Sequence, residues 1–464
     1  MNFFRENQLL CILIFLITIL SGILNTIYYF EDIDSLRFAT GIKYGFDISK
    51  MQPHFPGYPV FHFIASLIYY LTNNLGLTFS LMGSLSLFII MISTINIVNC
   101  KSQFNNVLIA VIILLNPLFS LMSTRYMPDL FGLAICIMIF YFLIFSKKEN
   151  HKILGFILCG ISIGTRLSYF PLVITPMVYV LMNNKKFYNL CFMFILGILL
   201  WLIPVILHQG LMPIYNSGLS HTVGHFTEYG GSIFTENNIS MRLKSIFHTI
   251  WADGFGGYWK NRSIITIIIS IVLLLISKNG ILHYHKIQNT KYKIIILSLI
   301  TYFVWIFFFQ NVIYKSRHIL PILLLFLVII FKLIPIKKYK NHYLILIILW
   351  SILTVNLNIS HKNGTAISKL KNELQNKNPD YIISHDLINF YMQRNGIKVK
   401  QSYINYSSLS DTILKNSHKY DIVFIGHYNL NIDSLYKYNF KEKKFYHNPY
   451  INRMWSEIPI FYNK

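Results

Sequence analysis

Two aspartates stand where acids are hard to keep. Asp34 closely follows the chain's first apolar run, and Asp129 opens another, RYMPDLFGLAI (125–135). Polar residues at the rim of a membrane span are costly and tend to be functional. A carboxylate there can serve as general base toward an acceptor hydroxyl, with its pKa tuned by partial burial. Cations assigned to the same side, namely Arg37, His54, Arg125, Arg166, Lys315, Arg317 and His318, suit a substrate that carries a phosphate. Two of these positions have a second reading. Arg166 interrupts the apolar stretch GISIGTRLSYFPLVITP (160–176), where either a structural ion pair or a phosphate contact would justify it. KSRHIL (315–320) fits snorkelling anchors as well as phosphate contacts.

The elements that must position these residues follow from composition. The chain has 464 residues, 54% hydrophobic and only 13% charged, against roughly 25% charge in soluble domains. A bilayer core takes roughly 20 apolar residues per helix, and such runs recur along the chain. The net charge of +23 comes from Lys and Arg in short clusters between apolar runs. That is the positive-inside pattern of cytoplasmic loops, not a nucleic-acid surface. Leu9–Tyr28 is too long for a signal-peptide core and reads as a retained span. The five cysteines end at Cys191, so the later segments hold no disulfide framework.

The segment 58–71 is short and carries His62 and a Tyr-Tyr pair, which suits a helix on the outer membrane surface. With it so placed, Lys101, Lys147, Lys148, Lys152, Lys185, Lys186 and the clusters at 278–293 and 332–340 all face the cytoplasm. The expected spans are 8–29, 77–98, 106–122, 130–146, 153–165, 171–183, 188–207, 263–277, 294–313, 318–332 and 342–358. This describes a polytopic α-helical membrane protein of about eleven transmembrane helices, with the N-terminus inside and the C-terminus outside. Of the ten acids before residue 358, only Glu6 and Glu149 then face inward. Glu31, Asp32, Asp34, Asp47, Asp129, Glu228, Glu236 and Asp253 face outward, and Asp47, Glu236 and Asp253 read as unconstrained loop acids. Residues 208–260 read as a long outer loop, partly helical on the membrane surface.

Residues 1–358 form the expected membrane domain and 359–464 a small extracytoplasmic α/β domain. Its rhythm is helix 365–377, strand 380–384, helix 386–395, strand 397–401, helix 408–417 and strand 421–426, which argues a partly parallel sheet. No G-x-G-x-x-G follows a strand, so no nucleotide is assigned. His361, His385, His418, His427 and His447 lack metal-ligand spacing and suit surface or core roles.

At this level the chain resembles the integral-membrane GT-C glycosyltransferases, in the branch of the aminoarabinose transferases and protein O-mannosyltransferases. DSLRFA (34–39) is similar to that family's Asp-Glu-x-Arg-Tyr-Ala, and HFPGYPVFHFIASLIYYLTNNLG (54–76) to its His-Pro-Pro-Gly-Tyr-Pro start of a surface helix. RYMPDLFGLAI resembles its second acidic loop, GISIGTRLSYFPLVITP its Gly-x-x-x-Lys segment, and SRHILPILLL (316–325) its late Arg-Tyr-x-x-Pro motif.

The resemblance implies transfer of a sugar from a polyprenyl-phosphate carrier, embedded in membrane lipid, to a glycan, lipid or protein acceptor at the outer face. It makes Asp34 the catalytic carboxylate and Asp129 its helper. Arg37 would position the loop, and His54, Tyr58, Arg125, Arg166, Arg317 and His318 would line the donor and its phosphate. Ser35 stands where the family often has a second acid, leaving Asp32 as a substitute carboxylate and metal use open, and Arg166 stands where lysine is common. A divalent metal is therefore compatible with the sequence without being required by it. A transporter or lipid flippase is the alternative, although its charges belong at the midplane of paired halves rather than at one surface.

Overall fold

Hydrocarbon offers backbone groups no water, so a chain this apolar must satisfy them within helices. The computed structural model describes residues 7–100, 102–236, 238–281, 283, 288–334, 336, 338–409, 417–426 and 440–463. Glu6, Lys101, His427 and most of the helix expected at 408–417 lie outside the described residues. Among the described residues six helices are long and apolar enough to cross a membrane: Leu75–Val98, Glu149–Met182, Phe187–Gln209, Thr290–Phe309, Ser316–Leu333 and Lys340–Leu374. Gln8–Leu24, Pro59–Thr72, Gln103–Leu115, Asp129–Phe145 and Ile265–Gly280 are shorter apolar helices. The described residues fall into two compact units, one built from Met1–Ile27 and Arg37–Ile359, the other from Tyr28–Leu36 and Ser360–Lys464.

In the first unit several expected spans differ, each for a local reason. The run 106–122 breaks into Gln103–Leu115 and Pro117–Met122. Pro117 has no N–H to continue the ladder, so the Asn116 side chain accepts from the Phe119 N–H instead, at 3.1 Å. Thr354 Oγ1 takes up the Leu115 carbonyl at 2.8 Å, and Asn116 Nδ2 donates to the Gly254 carbonyl at 2.9 Å. The expected pair 153–165 and 171–183 is one run, Glu149–Met182, interrupted by a 3₁₀ turn at Leu167–Tyr169. Its first half lies close against Phe187–Gln209: a Cβ on Gly160 would meet the Phe194 carbonyl oxygen at 2.4 Å, and Trp201 Nε1 donates to the Gly160 carbonyl at 3.0 Å.

The segment 208–260 contains the helices Leu211–Thr227 and Ile239–His248, followed by a π turn at Thr249–Gly254. Arg242, 1% exposed, is buried here as a cap. Its Nη1 donates to the Gly231 carbonyl at 2.6 Å, and its Nη2 to those of Gln310 and Ile306 at 2.6 and 3.2 Å. Its Nε donates to the Phe307 carbonyl. Three of these four acceptors surround the C-terminal end of Thr290–Phe309, where carbonyls lack helical partners and a cation is favoured. Asp253 is also constrained, contrary to expectation: it is buried and paired with Arg262.

The second unit is a five-stranded sheet of β1 (Tyr381–Ser384), β2 (Ser402–Asn405), β3 (Ile422–Ile425), β4 (Lys441–Tyr446) and β5 (Glu457–Tyr462). Its order is β2-β1-β3-β5-β4. The first three strands are parallel, with Tyr381 opposite Ser402 and Ile422. β5 and β4 then add on antiparallel. The strand expected at 397–401 begins later, because Lys400 and Gln401 donate to the Pro379 and Asp380 carbonyls before the ladder starts. Ile33 and Leu36 join Ile367, Leu370, Ile382 and Tyr391 in one core, so the stretch after the first apolar helix is an integral part of this unit.

That stretch is also held by polar contacts. Glu31 is fully buried and accepts from His361 Nε2 at 2.8 Å, while Thr365 Oγ1 donates to the Glu31 carbonyl at 3.0 Å. Asp32 begins the helix Ile33–Tyr44 with a reciprocal cap: its Oδ1 accepts the Ser35 N–H at 2.9 Å, and Ser35 Oγ accepts the Asp32 N–H at 3.0 Å. The other oxygen, Oδ2, accepts from Asn452 Nδ2 at 3.0 Å. His447 and His385 have structural roles. His447 Nδ1 accepts the Ala366 N–H and its Nε2–H donates to the Asn452 carbonyl, and His385 caps Asp386–Arg394.

Removing the Arg242 cap strands several buried carbonyls. Arg242→Ala is expected to destabilise the protein by about 3 kcal/mol, read as a lower thermal midpoint in detergent. Arg242→Lys should recover little, because one ammonium cannot reach carbonyls arranged for a planar fork.

Candidate active site

The first unit gathers most of the charged residues singled out in the sequence. Asp129 sits in the first turn of Asp129–Phe140, directly after Pro128. It is completely buried. Arg166 ends the helix Glu149–Arg166 with its backbone at φ −156° and ψ 84°, out of helical geometry. Its Nη2 lies 2.8 Å from Asp129 Oδ1. Arg317 comes from the 3₁₀ turn Ser316–Ile319, and its Nε lies 3.7 Å from Asp129 Oδ2. Among the described residues neither oxygen of Asp129 accepts an aligned hydrogen bond, so these contacts are ion pairs.

Three separate chain segments therefore meet through one carboxylate and two guanidinium groups. Two like charges held together out of water repel each other, and the carboxylate between them offsets that repulsion. Arg317 and His318 are 5% and 6% exposed. This corrects the snorkelling-anchor reading of KSRHIL, since an anchor must keep its head in water.

Tyr58 and His54 extend the cluster. Arg166 Nη1 donates to the Tyr58 hydroxyl at 3.2 Å, and Tyr58 Oη lies 3.3 Å from His54 Nε2. The Arg166 guanidinium also lies over the Tyr58 and Tyr169 rings, 5.5 and 5.6 Å from their centroids. Tyr58 holds its place through an unfavourable backbone: φ is 50°, left-handed for a side chain with a Cβ, a conformation costing about 1–2 kcal/mol. Pro59 then starts the Pro59–Thr72 helix at once. Strain of this kind clusters at functional sites.

The loop before it is pinned at Asp47. Burial works against its charge, but bonds from the Lys50 and Ser49 side chains and the Lys50 backbone, with the Lys50 charge, lower its pKa to about 2. Gly132, one turn after Asp129, makes room for the arginine: a Cβ there would meet Arg166 Cβ at 2.7 Å and Tyr169 Cδ2 at 3.3 Å.

Of the remaining sequence candidates, Arg125 is buried just ahead of Asp129, and Arg37 donates to Met51 Sδ at 3.2 Å. His318 holds its place through its backbone, whose carbonyl accepts from Tyr302 Oη at 3.0 Å. Asp34 belongs to the second unit, where it is buried in the first turn of Ile33–Tyr44. Asp32 lies there too, with both oxygens engaged by Ser35 and Asn452. Among the described residues no three His, Cys, Asp or Glu side chains gather as a metal site. Sequence reading missed Tyr169, Tyr302 and Gly132, although Tyr169 stands three residues after Arg166 in GTRLSYFP.

Sequence comparison finds neither a matching family model nor a matching curated protein. The fold does have solved counterparts. The crystal structure of ArnT from Cupriavidus metallidurans bound to undecaprenyl phosphate is similar at a TM-score of 0.54 and 8% identity, over 98% of each chain. The apo state of the same protein matches at 0.54 and 9%, over 98% of this chain and 97% of that one. ArnT is an aminoarabinose transferase, and the fold of this chain is accordingly that of the GT-C glycosyltransferases.

Breaking the buried ion pair from one side leaves guanidinium charge uncompensated. Asp129→Asn is expected to destabilise the protein by about 3–5 kcal/mol. The double variant Asp129→Asn, Arg166→Met should recover part of that loss in a double-mutant cycle of unfolding.

Proposed function

We propose that this chain transfers a sugar from a polyprenyl-phosphate donor to an acceptor at the outer face of the membrane. The observation that carries the reading is the convergence of Arg166 and Arg317 on Asp129, within a fold shared with a structure that binds undecaprenyl phosphate. A buried guanidinium pair held ready by a carboxylate suits a phosphate that gains charge as its bond to the sugar breaks.

In this reaction the acceptor hydroxyl oxygen attacks the anomeric carbon while its proton passes to a carboxylate. Asp34 is the proposed base, on its place in DSLRFA. The bond between the anomeric carbon and the phosphate oxygen breaks, and the lipid phosphate leaves as an anion that needs no proton. Arg166 and Arg317 receive it, with Asp129 as the positioning carboxylate. Tyr58 ties Arg166 to His54 and so fixes the guanidinium plane. The donor's tail stays in lipid, which supports a site at the membrane edge and a C-terminal unit outside the cytoplasm. A bacterial inner membrane is the proposed location, and the acceptor is a hydroxyl of a glycan, lipid or protein.

The test supplies radiolabelled polyprenyl-phosphate sugars to purified membranes. Wild type should transfer label, and Asp34→Asn should lose at least about a hundredfold of the rate. Equal rates would remove Asp34 from the chemistry. Failure with every donor, together with lipid movement across vesicles, would favour a flippase.

A further inference from the structure

Several buried tyrosines in this protein find acceptors. Tyr126 donates to the Ile27 carbonyl at 2.8 Å, Tyr302 to that of His318 at 3.0 Å, and Tyr391 to that of Phe30 at 2.7 Å. Tyr169 differs. It is 0% exposed, yet its hydroxyl has no hydrogen-bond partner among the described residues. Its ring lies beneath the Arg166 guanidinium and meets Tyr302 edge-on at 5.8 Å. Arg166 itself has a second buried donor without a partner among the described residues, its Nε–H. Its Nη1 and Nη2 are engaged by Tyr58 and Asp129.

Two buried donors in adjoining side chains, both lacking an acceptor, are costly unless something accepts from them. The chemistry that suits both is an anionic oxygen, because a neutral acceptor would gain less from a guanidinium. Tyr343 also has a buried hydroxyl without a partner among the described residues, but its ring neighbour is Phe331. It therefore serves as a control for the bare loss of a buried hydroxyl.

We infer that the Tyr169 hydroxyl, together with the Arg166 Nε–H, donates to a phosphate oxygen of the lipid-linked donor. This rests on the function proposed above. Tyr169 would thus be a binding residue that selects for the phosphate and leaves the sugar and the acceptor to other groups. Phenylalanine at this position keeps the ring under the guanidinium and removes only the donor.

Binding of undecaprenyl phosphate and of undecaprenol, which has no phosphate, is measured on purified full-length protein for wild type, Tyr169→Phe and Tyr343→Phe. Tyr169→Phe is expected to bind undecaprenyl phosphate about tenfold more weakly, with undecaprenol binding unchanged. Tyr343→Phe should match wild type for both lipids. Unchanged phosphate-lipid binding by Tyr169→Phe overturns the inference and leaves the proposed function standing. Equal weakening toward both lipids also overturns it, because the hydroxyl would then act on the fold. No preference of the wild type for the phosphate lipid rejects the proposed function and this inference together.

Discussion

Arg166 and Arg317 reach one buried carboxylate from distant parts of the chain, and the architecture of the membrane unit depends on that meeting. At 2.8 Å a pair of unit charges attracts by about 6 kcal/mol at an effective dielectric constant of about 20. Removing both charges from water takes back much of that gain. The pair therefore contributes specificity of arrangement more than net stability. Asp129 must open its helix at this place, Arg166 must leave helical geometry, and the Ser316–Ile319 turn must face inward, or one charge is stranded. Gly132 and the left-handed Tyr58 are local concessions to the same requirement.

A site of this kind is ready before its ligand arrives. Guanidinium groups already oriented by a carboxylate and a tyrosine hydroxyl need little reorganisation when negative charge develops beside them. In the proposed reaction the same preorganisation would let fixed cations meet a lipid-borne leaving group. The second unit follows a different logic, with β1, β2 and β3 in parallel and the segment Tyr28–Leu36 folded into its core. Its buried polar groups are satisfied by caps and pairs, as with Asp32, Ser35 and Asn452.

What the sequence disclosed depended on the range of the interaction. Long apolar runs, the Gly-Tyr-Pro start of a helix and the alternation after residue 358 are local patterns, and they led to the helical membrane architecture, the GT-C fold and the small sheet. Arg166 stood out because an arginine inside an apolar run needs a reason. Its partner could not be read, since nothing in the sequence pairs Arg166 with Asp129 rather than with Asp34, the other aspartate at a span rim. Glu31 and His361 lie 330 residues apart, and Arg242 is written as an ordinary loop cation while folding as a helix cap. Asp32 looked like a spare catalytic acid because a capping carboxylate and a catalytic one share the same letter. Strands β4 and β5 were missed because KEKKFY reads as a charged loop until an antiparallel neighbour pairs with it.

The most direct measurement of the central claim is a cryo-EM map of the protein bound to undecaprenyl phosphate. The account predicts phosphate density within hydrogen-bonding distance of the Arg166 and Arg317 guanidinium groups, with Asp129 still between them. Phosphate density elsewhere, with the Asp129 cluster closed as it stands here, would contradict it.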